Sequence, residues 1–284
     1  MIKKFSFIFF KILTYLDTIV KKITNNRSIL IYFNEFINSY FYKSIKIENN
    51  YITFFVPNKT TEWRVNTFFS KEPETLEWID NFDNKDKIIF WDIGGNIGLY
   101  SIYAALKHKN IEVVTFEPST SNLRVLSRNI SINKLEDRIK ICPFALTDKD
   151  NSFLLMKENS FDEGGALNTF GKNYDYNGNI FISSNQYRTF GTSINYLLDN
   201  NILKMPNYIK IDVDGIEHLI LKGADKYLNS QFIKSLSIEL NENFLEQFSL
   251  VNKMMKTYKF KQIKKTNIFL KNNFNKIFNY VFEK

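Results

Sequence analysis

Residues 88–101 read IIFWDIGGNIGLYS, and the fold turns on this stretch. An apolar run ends at Asp92, glycines follow at 94, 95 and 98, and helical spacing begins at Leu99. Glycines directly after a strand permit positive φ and let the backbone approach a ligand closely. A nicotinamide fingerprint does not fit this turn. From Gly94 its second glycine falls on Asn96, and from Gly95 on Ile97. No G-K-[ST] follows, so a nucleotide-triphosphate loop is excluded. The acid at Asp92 would repel a pyrophosphate and suits a ligand carrying an amine or a sulfonium.

The segments after this turn alternate between strand and helix. Strands are predicted at 87–92, 111–117, 138–146, 151–157, 180–190, 208–214 and 235–240. Helices are predicted at 99–109, 120–133, 193–201, 216–228 and 243–258, with a polar loop at 158–179. Two further β-prone segments, 259–270 and 274–282, close the chain as a hairpin. Such alternation implies an α/β fold with a mostly parallel central sheet and helices on both faces. In such sheets ligands bind at the carboxyl ends of the strands. Upstream, residues 4–42 read as helical, 51–58 as a strand and 72–80 as a helix. The expected organisation is a helical extension over residues 1–50 and one domain over 51–284.

Two groups of residues carry the chemistry. The first is the glycine turn together with Glu117, which ends the next strand, in FEP at 116–118. A carboxylate there can accept hydrogen bonds from both hydroxyls of a ribose. A glycine turn and a ribose acid without a phosphate grip suggest S-adenosylmethionine. Asp92, Gly94, Asn96, Gly98 and Glu117 are the cofactor candidates. Asp148 is either a further one, reaching the adenine amino group, or a turn-forming acid. The second group is YIKIDVDGIEHLILKGA at 208–224. Asp212, Asp214 and Glu217 cluster where a buried strand emerges, and Glu239 ends the following strand. Acids crowded there raise one another's pKa, a cost that structure alone seldom demands. The structural alternative is Asp214 as a helix cap, with Glu217 completing a capping box. Asp212 or Glu217 is expected to take a proton or orient a hydroxyl, with Glu239 and Asp214 beside them. His218, one position past Glu217 on the helix, points about 100° away from it and reads better as a helix-surface residue. His108 reads as a helix C-terminal cap, and Asn129 and Asn133 as packing groups. Hard cations also accept carboxylates such as Asp212, Asp214 and Glu239, but no metal is assigned.

The ordered motifs DIGGNIG (92–98), FEP (116–118), RNISIN (128–133), KIDVDGIE (210–217) and IEL (238–240) resemble those of the FkbM family of S-adenosylmethionine-dependent methyltransferases. The EPETLEWID segment at 72–80 resembles the family too, so the likeness runs over roughly 50–284. It implies a Rossmann-like class I methyltransferase fold, S-adenosylmethionine as cofactor, and O-methylation of a sugar or glycan hydroxyl. There are departures. Gly95 stands where the family has Ala, Asp214 where it has Glu, and Asn195 where it has Asp. These bear on acceptor geometry more than on the cofactor. RNA methylation and a non-catalytic methyltransferase-fold binding protein are the alternatives. No grouping of basic and aromatic residues along a groove marks a nucleic-acid partner.

The formal charge is +8 and unevenly spread. Residues 1–50 hold eight Lys/Arg against three acids, and residues 251–284 nine Lys against one Glu, while the middle holds 21 against 26. Basic ends suit an anionic glycan or a lipid surface, or are simply solvated lysines. The single Cys142 and two histidines exclude a disulfide and a Cys- or His-rich metal site. Cys142 reads as a buried thiol in a reducing, cytoplasmic compartment. The N-terminal MIKKFSFIFFKILTYLDTIVKKI has a positive start and an apolar stretch. Lys11 and Asp17 interrupt it and no small-residue cleavage site follows, unlike a signal peptide. Two readings stay open for residues 1–40: an amphipathic helix packed on its own domain, or an interfacial helix resting on a membrane.

Overall fold

The computed structural model describes residues 1–47, 50–267 and 276–284. The chain begins with α1 (Ile2–Ile23) and α2 (Ile29–Asn38). The long helix expected over 4–42 is therefore two helices, broken where Asn25 and Asn26 take positive φ. A hairpin of β1 (Tyr42–Ile47) and β2 (Asn50–Phe55) follows, antiparallel from Tyr42↔Phe55 to Ile47↔Asn50. Three short helices come next: α3 (Lys59–Asn66), α4 (Phe68–Lys71) and α5 (Pro73–Asp80). Asn58 caps α3 through a reciprocal box with Thr61, and Pro73 opens α5, where its missing N–H costs nothing.

The central unit runs β3 (Ile88–Ile93), α6 (Leu99–Lys107), β4 (Ile111–Phe116), α7 (Thr120–Ile132) and β5 (Ile139–Cys142). An excursion follows, made of β6 (Ala145–Leu146), β7 (Ser152–Glu158), β8 (Thr169–Phe170), β9 (Asn185–Thr192) and α8 (Ile194–Asp199). The chain returns through β10 (Tyr208–Ile211), α9 (Glu217–Lys222), β11 (Ser235–Asn241), α10 (Leu245–Thr257), β12 (Lys261–Asn267) and β13 (Ile277–Glu283). Of the two β-prone terminal segments, residues 268–270 and 274–275 lie outside the described residues. The segment expected as one strand over 138–146 divides at Pro143. β5 stays in the main sheet and β6 joins the second one.

The main sheet has the order β12-β13-β11-β10-β3-β4-β5. The strands from β11 to β5 are parallel, while β13 is antiparallel to both of its neighbours. This is the Rossmann-like sheet of class I methyltransferases, with the last strand inserted between its two predecessors. The order reverses between β3 and β10, which opens a crevice at their carboxyl ends. Strand alternation divides the core into two layers. Trp91, Ile93, Val114 and Phe116 pack with α9 and α10, whereas Phe90 and Val113 pack with α5, α6 and α7. Asn129 and Asn133 tie α7 to β2: Phe55 N–H donates to Asn129 Oδ1 across 2.8 Å, and Asn133 bonds both the N–H and the C=O of Thr53. The second sheet, β6-β9-β7-β8, stands over the carboxyl end of the main one.

Candidate active site

Two clefts meet at the carboxyl ends of β3 and β10. The first holds about 570 Å³ of open space. Gly94, Asn96, Glu117 and Asn122 form its polar wall. Phe144, Met156, Phe170, Ile216 and Ile220 form its apolar side, and Asp212 and Asp214 its inner end. The second holds about 450 Å³ and is lined by Arg64, Phe68, Lys71, Glu72, Tyr100 and Lys210 among others. Gly94, Asn96 and Asp212 border both. Gly94 is what lets the two strands close here. Its φ is +86°, and a Cβ would stand 1.9 Å from the carbonyl oxygen of Asp212.

Glu117 is buried at the end of β4. Its two carboxylate oxygens accept from the N–H groups of Asn96 and Ser119, each at 2.8 Å. Burial outweighs these bonds and pushes its carboxyl up to about 8. Glu117 also lines the cleft, where ribose hydroxyls could hydrogen-bond its carboxyl group. Asn96 gives its Nδ2 to the carbonyl of Gly165, while its Oδ1 is buried with no partner among the described residues. An ammonium group placed against that oxygen would satisfy it. The first cleft therefore fits S-adenosylmethionine: Glu117 for the ribose, Asn96 for the amino group, and the apolar wall for the adenine.

Segment 163–168, read in the sequence as plain loop, closes over this cleft. Gly164 N–H donates to Asn122 Oδ1 and Leu167 N–H to Asp214 Oδ2, while Arg64 Nε donates to the Gly164 carbonyl. Asp214 is thus a latch for the strap, not a cap of α9. Burial and the neighbouring Asp212 raise its carboxyl to about 6.

At the floor of the second cleft, Lys210 Nζ donates to Asp212 Oδ2 across 2.7 Å, and its side chain is 2% exposed. Burial disfavours the charge, but Asp212, Glu72 and Asp92 together hold this ammonium well above the usual lysine range. Glu72 is also buried. Desolvation alone would raise it, yet Lys71 and Lys210 hold it down at about 2. Glu239 stands in the same group. Glu72, Asp212 and Glu239 each place a carboxylate oxygen within 4.8 Å of the others. Burial and the adjacent Asp212 push the Glu239 carboxyl well above its usual range. The charge the acids share is met by Lys71 and Lys210.

Several candidate residues stand away from the cleft walls. Asp92 is fully buried beneath the turn, accepting from Ser101 Oγ at 2.6 Å, and so pins α6 to β3. Gly98 is the N-cap of α6 at φ +88°, with Leu126 where a Cβ would stand. Asp148 faces outward and pairs with Lys222 at 2.8 Å. Glu217 turns back on its own loop, accepting from the N–H groups of Val213 and Gly215 and from Gln247. It stabilises the turn that presents Asp212 and Asp214. Burial raises its carboxyl to about 7. His218 packs edge-on against Phe244, and burial lowers its imidazole. His108 ends α6 as expected, with Nε2 2.7 Å from the Ile79 carbonyl. Asn195 bonds Asp225 on the outer surface. Conversely, Arg64, Lys71, Tyr100 and Asn122 border the clefts although no motif assigned them a role, and Glu72 and Lys210 do so as the first residues of EPETLEWID and KIDVDGIE, where neither was named a candidate. Only the lysine within the otherwise apolar YIKI strand gave a signal in the sequence.

Residues 92–272 match the Methyltransferase FkbM domain. "Methyltransferase sdnD" of Sordaria araneosa is 27% identical over 154 residues, covering 48% of this chain and 60% of that protein. "Methyltransferase 1" of Beauveria bassiana is 26% identical over 143 residues, covering 47% and 57%. The chain thus spans less than two thirds of these relatives. Among solved structures, an rRNA methylase from Streptococcus thermophilus aligns at 12% identity and a TM-score of 0.44, covering 74% of this chain and 94% of that one. TrmK of M. capricolum, bound to S-adenosylhomocysteine, aligns at 13% and 0.43, covering 74% and 67%. The strand order, the glycine turn with Glu117 beside it and the domain match over most of the chain agree, and the protein belongs to the FkbM-domain methyltransferase family.

Proposed function

We propose that the protein transfers a methyl group from S-adenosylmethionine to a hydroxyl oxygen of a sugar or glycan. The observation that carries this reading is the junction at Asp212, where a cofactor-shaped cleft meets a second, polar one. The second cleft alternates donors (Arg64, Lys71, Tyr100) with acceptors (Glu72, Asp212), the set that a polyol needs.

Bound in the first cleft, S-adenosylmethionine supplies an electrophilic methyl on a sulfonium. The chain's contribution is alignment and proton removal. Asp212, held by Lys210, accepts the hydroxyl proton as the new O–C bond forms. Glu239, beside Asp212, helps orient the acceptor hydroxyl. Glu217 holds the loop in place behind them.

The test begins with calorimetric titration of the protein with S-adenosylhomocysteine, followed by labelled methyl transfer to a panel of glycans and to RNA. Asp212→Asn is expected to keep cofactor affinity and lose about 10²–10⁴ in turnover. Label entering RNA and no glycan would overturn the acceptor assignment. Full turnover in Asp212→Asn would overturn the base.

A further inference from the structure

Residues 1–38 form a helical hairpin whose apolar face has no cover among the described residues. On α1, Ile2, Phe5, Ile8, Phe9, Ile12, Leu16, Ile19 and Ile23 fall on one arc, with no charge among them. All are exposed, Phe5 at 72% and Ile23 at 77%. The expectation that this helix packs on its own domain does not hold, because its one buried residue is Asp17. Asp17 fastens α1 to α2, accepting from Ser28 Oγ at 2.8 Å and pairing with Lys21 at 2.7 Å. On α2, Tyr32, Phe33, Phe36 and Ile37 are exposed as well. A soluble surface rarely leaves so much contiguous apolar area bare.

The charges around this face decide what covers it. Lys3, Lys4, Lys11, Lys21, Lys22 and Arg27 belong to the hairpin, against Glu35 and the internally paired Asp17. Two hairpins packed face to face would bring these cations together. An anionic lipid surface would instead accept the apolar arc below the headgroups while the lysines reach up to the phosphates. No helix of the described residues is long and apolar enough to cross a membrane, so α1, roughly 33 Å long at 1.5 Å per residue, would lie along the surface.

We infer that the α1–α2 hairpin is an interfacial anchor that seats the enzyme on an anionic membrane. The experiment is flotation of the purified full chain with vesicles of phosphatidylcholine alone or mixed with phosphatidylglycerol. Sedimentation velocity without lipid runs in parallel. The chain is expected to float with the anionic vesicles only. Phe5→Ser/Phe9→Ser/Ile12→Ser should abolish flotation with S-adenosylhomocysteine affinity unchanged. Replacing Lys3, Lys4 and Lys11 by Ser should weaken partitioning about fivefold per lysine removed, from about 1 kcal/mol each at an anionic surface. Phe9→Trp should shift its emission to the blue on the same vesicles. Absence of flotation by the unaltered chain overturns the inference. If that chain also sediments as a dimer that the triple Ser variant breaks, the face is an interface between copies instead.

Discussion

Lys210 and Asp212 stand two residues apart where β10 ends, and the buried ammonium of the first donates to the carboxylate of the second across 2.7 Å. Side chains two apart on a strand share a face, so the strand itself holds the pair in register. Tyr100 lies under the ammonium, 4.9 Å from ring centroid to Nζ. Lys210 thereby keeps three carboxylates of the site compatible with one another.

Lys210→Met should therefore unfold more easily than the parent by about 3–5 kcal/mol, because breaking a buried pair leaves uncompensated charge. Urea denaturation at neutral pH measures it. The loss should shrink in acid, where the carboxylates left without a partner are protonated. A variant as stable as the parent would show that Glu72 and Asp212 find another cation.

Glu117 couples stability and cofactor affinity to pH. Its carboxyl rises from an ordinary value near 4.5 when unfolded to about 8 when folded. Between those values the folded chain holds a proton that the unfolded chain has released. Its contribution thus weakens stability progressively as pH climbs from 4.5 towards 8. Glu117→Gln should flatten this slope in denaturation curves taken across that window. Above pH 8, where the folded carboxylate is charged, the same variant should lose about 1.5–3 kcal/mol of S-adenosylhomocysteine binding, the range for hydrogen bonds to a charged group. Unchanged affinity in the folded variant would remove Glu117 from the ribose.

Gly94→Ala tests the closeness of β3 and β10. The added methyl would meet backbone, not a movable side chain, and at a φ that disfavours alanine. A loss of about 3 kcal/mol is expected from overpacking and strain together. Both the thermal midpoint and S-adenosylhomocysteine affinity should fall.

Asn129→Leu should damage stability alone. It leaves the Phe55 N–H and the Ile97 carbonyl without their side-chain partner, at about 1–3 kcal/mol for each buried group. Binding of S-adenosylhomocysteine by the folded fraction should match the parent. A binding defect larger than the stability defect would place Asn129, as well as Asn122, in the cofactor machinery.

Local pattern was enough for the sheet and for part of the cofactor cleft. The run into Asp92, the glycines and the acid at Glu117 are contiguous chemistry, and strand period and turn residues act over a few positions. Two elements escaped that reading. Strand β1, which lay within the stretch read as helical, and the short α3 and α4 have weak periodicity, and their placement comes from packing against α6 and α7. The strap at 163–168 has no regular pattern at all and is held by side chains up to 100 residues distant. Within the motifs, residue type could not separate Asp212, at the junction of both clefts, from Glu217, which bonds its own loop. Their spacing placed both at the mouth of one strand. Which way each carboxylate turned depended on the amides left free by the loop, because buried acceptors go where donors remain unpaired. The sequence by itself thus determined the fold class, the glycine turn after β3 and the acid that ends β4. Only the tertiary structure joined Arg64, Lys71 and Glu72 to Lys210 and Asp212 as a second cleft. Charges remote in sequence must be brought together by folding before they can set one another's protonation.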